Sequence, residues 1–289
     1  MIKKGIILAG GLGTRMSPLT KAVNKQLLPL YDKPLIFYPL SVLMLAGIKK
    51  ILIIVNKGQL NQFRKILPEK NHLGLSIQYK EQLKPLGLPQ AFTIGEKFIG
   101  KDSVSLILGD NFFYGQSLTK NLKKNVNLKS GAKIFIHPVK NSHLYGVATL
   151  DKNKKVINLT EKPKKTKSNL AVTGLYFFDN NVVNLTKKLR PSKRGELEII
   201  DLLNSYRKAN KLKAEFIGRG GSWLDTGNID DFYDASNFIY TIENRQGLKI
   251  ACLEEISLNN NWINKKQLKN AINFYGKCEY SKYLKSLNN

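Results

Sequence analysis

Residues 51–55 read Ile-Leu-Ile-Ile-Val, an apolar run with no polar residue to turn toward water. A strand of this kind has to be covered on both faces, which a parallel sheet between two helical layers does and a sheet with one wet face does not. Two further runs share its character. Ile6–Ala9 ends in Gly10-Gly11-Leu12-Gly13-Thr14-Arg15, and Ser103–Leu108 ends in Gly109-Asp110. Between these runs the spacing predicts helices over Pro39–Ile48 (stopping at Gly47), Gln59–Leu67 (stopped by Pro68) and Pro89–Phe98, with an alternating strand at Ser76–Lys80. Such alternation predicts a three-layer α/β unit. Ligands of these sheets bind beyond the carboxyl ends of the strands, where Gly10–Arg15 and Gly109–Asn111 stand.

The pattern changes after Gly131. Short strands are expected at Lys133–Val139, Gly146–Leu150, Val156–Thr160, Val172–Phe178 and Ala214–Gly218. Helices are expected at Glu196–Ala209 and Asn228–Gln246, with helix and loop beyond. No Pro/Gly/Ser-rich linker and no internal repeat interrupts residues 1–289, so one continuous domain is expected, with parts at 1–130, 131–227 and 228–289.

Charge and cysteine content narrow the function classes. Lys plus Arg outnumber Asp plus Glu by 47 to 21, a net charge of +26. Only seven of the 47 are Arg, the preferred bidentate reader of phosphates and bases. The excess is therefore a lysine drift over solvated faces, which does not point to nucleic acid but does attract small polyanions. Two cysteines, Cys252 and Cys278, make neither a disulfide framework nor a zinc set, so a reducing, cytoplasmic setting is expected. Leu35–Ile48 contains Pro39 and Ser41 and falls short of the roughly 20 apolar residues a membrane span needs. The apolar start of the chain soon meets Arg15, unlike a signal peptide.

Glycines at 10, 11 and 13 let backbone N–H groups approach phosphate oxygens, although a tight turn reads the same way. Met16 occupies the third glycine position of a dinucleotide fingerprint, so that motif fails. Gly95–Asp102 approaches a P-loop but lacks its terminal Ser/Thr and follows a helix, so it is a chance match. Arg15 directly after the glycine loop, with Lys25 beyond it, suggests a triphosphate. Asp110 also reads as a turn or helix cap, Asp225 as an Asp-Thr-Gly turn, and Lys162 as one charge of a solvated basic loop.

Ordered blocks from about residue 5 to 256 carry a resemblance. They include Gly5–Arg15, Lys25–Pro34, Leu108–Asn111 with Phe113–Gly115, Tyr145–Val147, Glu161–Pro163, Lys167–Tyr176, Arg194–Ile199, Gly218–Gly220, Trp223–Gly227, Ala235–Ile239 and Arg245–Lys249. Together these blocks resemble the sugar-1-phosphate nucleotidylyltransferases, and within them the members that join dTTP to α-D-glucose 1-phosphate on the way to dTDP-L-rhamnose. The resemblance implies a Rossmann-like mixed, mostly parallel sheet with a nucleotide-binding half (1–130), a small β-rich sugar-phosphate half (131–227) and C-terminal helices (228–289). It also implies a Mg²⁺-dependent homotetramer acting on small molecules, with no nucleic-acid or membrane partner.

Residue roles follow from the same resemblance. Leu8, Gly10, Gly11, Gly13, Thr14, Arg15, Lys25 and Gln26 would hold the triphosphate, with Lys25 neutralising the leaving pyrophosphate. Gln82 and Gly87 would meet the base, since a Gln amide matches the donor and acceptor edge of thymine or uracil. Asp110 and Asp225 would hold Mg²⁺. Lys162 would grip the sugar phosphate. Asn111, Tyr145, Gly146, Glu161, Val172, Thr173 and Tyr176 would surround the sugar, the aromatic members reading equally as core. Tyr114, Gly115, Arg219 and Glu255 would border an effector site. Leu86 and Pro89 depart from the usual residues beside the base and bear on dTTP against UTP. Leu12 and Met16 also depart, as packing changes.

Overall fold

The computed structural model describes every residue except Leu12, Asn288 and Asn289. The expectation for Leu12 therefore lies outside the described residues, while Met16 is fully buried, as a packing residue is. Strands β1 (Lys4–Ala9), β2 (Pro29–Leu30) and β3 (Lys33–Pro34) precede helix α1 (Phe37–Leu45). β4 (Lys50–Asn56), α2 (Leu60–Ile66), β5 (Ser76–Gln82), α3 (Gln90–Ile94), α4 (Glu96–Ile99) and β6 (Val104–Leu108) follow. Next come β7 (Asn111–Tyr114), α5 (Leu118–Asn125), β8 (Ala132–Pro138), β9 (Gly146–Leu150), β10 (Val156–Glu161) and β11 (Leu170–Phe178). The chain continues through α6 (Val182–Lys187), α7 (Ile199–Lys208), β12 (Leu212–Phe216), β13 (Ser222–Asp225) and helices α8 (Ile229–Gln246), α9 (Leu253–Asn259), α10 (Lys265–Tyr275) and α11 (Glu279–Ser286).

Nine strands form one mixed sheet, in the order β10-β9-β11-β6-β1-β4-β5, with β8 on β11 and β12 on β8. β6, β1, β4 and β5 run parallel, and β11 joins antiparallel to β6. The apolar runs explain the layering. Ile7, Ile51, Ile53 and Val55 pack toward α1, α2, α5 and α9, while Ile6, Leu52 and Ile54 pack toward α3, α4, α6 and α7. Alternate residues of one strand thus feed two cores, so the strand needs no polar face. The β-rich part is continuous with this sheet, because β11 belongs to both regions.

Three elements differ from the sequence expectation. The helix expected over Pro89–Phe98 is two short helices meeting at Gly95, where a Cβ would lie 2.9 Å from Ala91 O and from Ile6 Cδ1. α7 starts at Ile199 rather than Glu196, because the Leu197 N–H donates to Leu86 O at 2.8 Å and holds that stretch extended. The pair β7/β13 is a separate two-stranded ribbon that periodicity over four residues could not reveal. Gly95–Asp102 forms α4 and the turn after it and lines no part of the main cavity.

The C-terminal helices dock on the sheet's α1 side through a buried polar knot. Glu254, with no exposed surface, accepts hydrogen bonds from His72 Nε2 (2.8 Å), Tyr275 OH (3.0 Å) and Tyr280 OH (2.6 Å). Asn264 and Gln267 close a reciprocal cap at the start of α10. No helix among the described residues is long and apolar enough to cross a membrane.

Candidate active site

A cleft of about 440 Å³ opens at the carboxyl ends of β1 and β6 and reaches across to β9, β10 and β11. β1 delivers Leu8 and then the glycine loop. Asn56, at the end of β4, donates to Gly11 O at 3.1 Å and Asn24 donates to Ala9 O at 3.3 Å, so neighbouring elements hold the loop's entry. A Cβ at Gly10 would lie 2.2 Å from Gln82 Oε1, so any larger residue there would displace the Gln82 amide. Arg15 lies in a single 3₁₀ turn, and its guanidinium and the Asp225 carboxylate both lie beside Gly227.

Of the residues expected on the nucleotide side, Leu8, Gly10, Gly11, Arg15, Gln26, Gln82, Gly87 and Asp110 line the cleft; Gly13, Thr14 and Lys25 do not. Gly13 turns the loop in the left-handed region, with a would-be Cβ 2.8 Å from Thr20. Lys25 is only 5% exposed, and its Nζ sits 2.8 Å from Asp110 Oδ2. Its cation is thus spent on the carboxylate rather than presented to the cavity. Gln26 carries a buried Oε1 with no hydrogen-bond partner, an acceptor waiting for a donor. The Gln82 amide N donates to Gln90 Oε1 at 2.6 Å. Gly87 (φ +100°) is packed on the Leu197 backbone, where a Cβ would lie 2.1 Å from the carbonyl oxygen.

Asp110 follows β6 after Gly109, and Asp225 ends β13 at the position registered against Asn111. Burial pushes Asp110 up, but the charge and hydrogen bond of Lys25, together with the Asn111 amide, hold it below the usual carboxylate range. Burial and then the charge of Asp110 push Asp225 up to about 7. A second, unpaired carboxylate beside an ionised one is the donor set a hard dication relieves, so these residues fit Mg²⁺. No group of three or more His, Cys, Asp or Glu able to hold a metal exists among the described residues.

The far wall comes from the later strands. Tyr145, Gly146, Glu161, Lys162, Val172 and Tyr176 line it. Glu161 pairs across the strands with Gly146, and burial with the charge of Glu198 raises its carboxyl. Lys162 adopts φ +40°, uncommon outside glycine, while its N–H donates to Tyr145 O at 3.0 Å. Tyr145 meets Trp223 edge-on at 5.1 Å, and burial raises its phenol to about 12. Asn111 borders the cleft, but every polar atom of its side chain is engaged by the protein. Thr173 is the correction on this wall. It alternates with Val172 and Gly174 on β11, so its side chain leaves the cleft and donates to Phe135 O at 3.0 Å.

Several cleft residues had been given no role from sequence: Pro85, Gly174, Arg194, Glu196, Leu197, Glu198 and Trp223. Arg194 forms two hydrogen bonds to Glu198 and lies 3.5 Å from Glu161. Its Arg-x-x-x-Glu spacing was a visible signal, carried in the block Arg194–Ile199 without a role. A second cavity, of about 300 Å³, is lined by Tyr114, Gly115, Glu255 and residues of α1 and the α8–α9 turn. Arg219, expected with them, lies in the loop between β12 and β13 and does not border it.

Comparison with known proteins agrees with this geometry. The nucleotidyl transferase family model matches residues 4–242. A glucose-1-phosphate thymidylyltransferase of Neisseria meningitidis is 49% identical over 281 residues, covering 97% of this chain and 98% of that protein. A Bacillus anthracis chain assigned as a glucose-1-phosphate thymidylyltransferase and solved in complex with sucrose superposes with a TM-score of 0.76. It is 38% identical and covers 81% of this chain and 94% of its own. A UDP-glucose pyrophosphorylase solved with UDP-glucose gives a TM-score of 0.73 at 27% identity, over 84% of this chain and all of that one.

Proposed function

The chain belongs to the nucleotidyl transferase family, and from that premise we propose that it transfers the thymidylyl group of dTTP to α-D-glucose 1-phosphate, giving dTDP-glucose and pyrophosphate. The observation that carries this reading is the single cleft joining the glycine loop with Arg15, the Asp110/Asp225 pair and the Glu161/Lys162 corner. Those are the three things the reaction needs: a grip on a triphosphate, hard oxygen ligands at its α-phosphate, and a cation with hydroxyl acceptors for a sugar phosphate.

The bond that forms joins a sugar-phosphate oxygen to the α-phosphorus, and the α–β bridge breaks as pyrophosphate leaves. The attacking oxygen is already an anion, so no side chain has to remove a proton. Catalysis reduces to alignment and charge neutralisation. Backbone N–H groups of Gly10 and Gly11 with Arg15 receive the β and γ phosphates. Asp110 and Asp225 hold Mg²⁺, which when bound supplies a Lewis acid at the α-phosphate. Lys25 keeps Asp110 ionised, a role its buried pairing favours over direct contact with pyrophosphate. Lys162, presented by its unusual backbone, takes the sugar phosphate, and Glu161 accepts from sugar hydroxyls. Gln82 and the Gly87 backbone meet the base.

The second reading is the same chemistry with UTP. The observation on its side is the likeness to a UDP-glucose pyrophosphorylase. The second cavity suits a small-molecule effector, a homotetramer would follow the family resemblance, and a cytoplasmic setting suits both substrates. The test is pyrophosphate release with glucose 1-phosphate and Mg²⁺, comparing dTTP, UTP, CTP, ATP and GTP. Fastest release with dTTP is expected. Faster release with UTP would select the second reading, and release with none would overturn both.

A further inference from the structure

We propose that Trp223 is a positioning residue for the transfer reaction, acting through Asn111 on the carboxylate of Asp110. This inference rests on the metal reading of that carboxylate given above. Its geometry comes from the β7/β13 ribbon, whose register sets Trp223 against Phe113 and Asp225 against Asn111.

Asn111 is 2% exposed. Its Oδ1 accepts from Trp223 Nε1 at 2.6 Å and from the Gly174 N–H at 3.0 Å, and its Nδ2 donates to Asp110 Oδ1 at 3.0 Å. A carbonyl oxygen has two lone pairs, and both are taken. The two N–H donors also fix which way the amide faces. Flipped, it would set an NH₂ against two other donors and an oxygen against a carboxylate. Gly174 is part of the same device, because a Cβ there would lie 2.4 Å from Asn111 Oδ1 and push the amide away.

The consequence falls on Asp110. Lys25 holds its Oδ2 at 2.8 Å while Asn111 holds its Oδ1, so the plane of the carboxylate is set from both ends. An indole N–H can only donate. Trp223 therefore ensures that Asn111 presents its NH₂ to Asp110, and the orientation of a ligating carboxylate is what such outer partners control. The ring of Trp223 packs on Tyr145 independently of this bond, so shape and hydrogen bonding are separable.

The test is Mn²⁺ binding, read by electron paramagnetic resonance, to the enzyme with dTTP and without sugar phosphate, so that no turnover occurs. Thermal unfolding checks that each variant folds. Trp223→Phe keeps a ring and loses the donor. Asn111→Leu keeps the shape and loses the NH₂ without adding a charge beside Asp110. Each is expected to weaken Mn²⁺ roughly 10-fold, the low end of what loss of an outer-shell partner does, and the double variant should lose no more than either alone. Trp223→Phe should also lower kcat while leaving KM for glucose 1-phosphate within about 2-fold. Unchanged Mn²⁺ affinity in Trp223→Phe with a raised sugar-phosphate KM would overturn the proposal, making Trp223 a wall of the sugar pocket. Additive losses in the double variant would also overturn it. Failure of the unsubstituted enzyme to bind Mn²⁺ would overturn both this inference and the metal reading beneath it.

Discussion

Gly87→Ala separates two costs that usually travel together. The residue has φ +100°, and an added Cβ would lie 2.1 Å from Leu197 O and 2.7 Å from Leu197 N. The backbone cost alone is about 1–2 kcal/mol for a non-glycine residue at positive φ. Relieving the overlap requires Leu197 to retreat by on the order of 1 Å, which breaks its 2.8 Å hydrogen bond to Leu86 O, worth about 1 kcal/mol. The expected destabilisation is therefore roughly 2–4 kcal/mol, a fall in Tm of roughly 5–10 °C for a domain of this size. Gly47 is the control. Its φ is +82° with nothing within 4 Å of a would-be Cβ, so Gly47→Ala pays only the backbone cost. Function should separate the two further, because Leu197 borders the cleft next to Glu198. A displacement near 1 Å in a positioning wall can cost up to about 100-fold, so kcat/KM should fall at least about 10-fold in Gly87→Ala and stay unchanged in Gly47→Ala. Differential scanning fluorimetry and initial rates measure both. Equal Tm shifts in the two variants, with equal kcat/KM, would refute the packing argument.

Lys25→Met should lower stability by roughly 1–3 kcal/mol in EDTA, because it leaves a half-buried carboxylate without its cation. Millimolar Mg²⁺ should restore part of the loss, and an equal Tm drop with and without Mg²⁺ would count against the shared site. The two cysteines should differ sharply toward iodoacetamide at pH 8. Burial pushes the Cys252 thiol up to about 12, so it carries almost no thiolate. Cys278 is exposed, and hydrogen bonds from Ser281 lower its thiol. Intact mass should show one adduct, on Cys278, and a second adduct on folded protein would contradict the packing of Cys252.

The parts of the fold legible from sequence are those where local pattern and burial agree. The central residues of β1, β4 and β6 are almost wholly apolar because both faces are covered, and the strands were placed to within two residues. The cleft was legible where residue type is tied to chemistry, as at Gly10, Asp110 and Glu161. Thr173 was misplaced because alternation along β11 decides which side chains reach the cleft, and chemical suitability alone does not reveal that phase. Lys25 was expected at the cavity, but only tertiary contact shows that Asp110 takes its charge. Leu197 and Glu198 were absorbed into a helical reading, which fails where Leu197 pairs with Leu86 across 111 residues of chain. The β7/β13 ribbon joins segments far apart in sequence, beyond the reach of any local period.

β11 carries a mechanical implication. Its C-terminal residues are laced to β6 and to β8, while its N-terminal residues are laced to β8 and touch β9. The two walls of the cleft therefore share a girder rather than a joint. Bending one against the other would tear ladder hydrogen bonds on both sides of a buried strand. The cleft's lining outside the sheet includes Gly10 and Gly11, Lys162 and the Arg194–Leu197 stretch. A strand shared in this way leaves no hinge inside the sheet, so the spacing of the two walls is a fixed property of the backbone rather than an adjustable one.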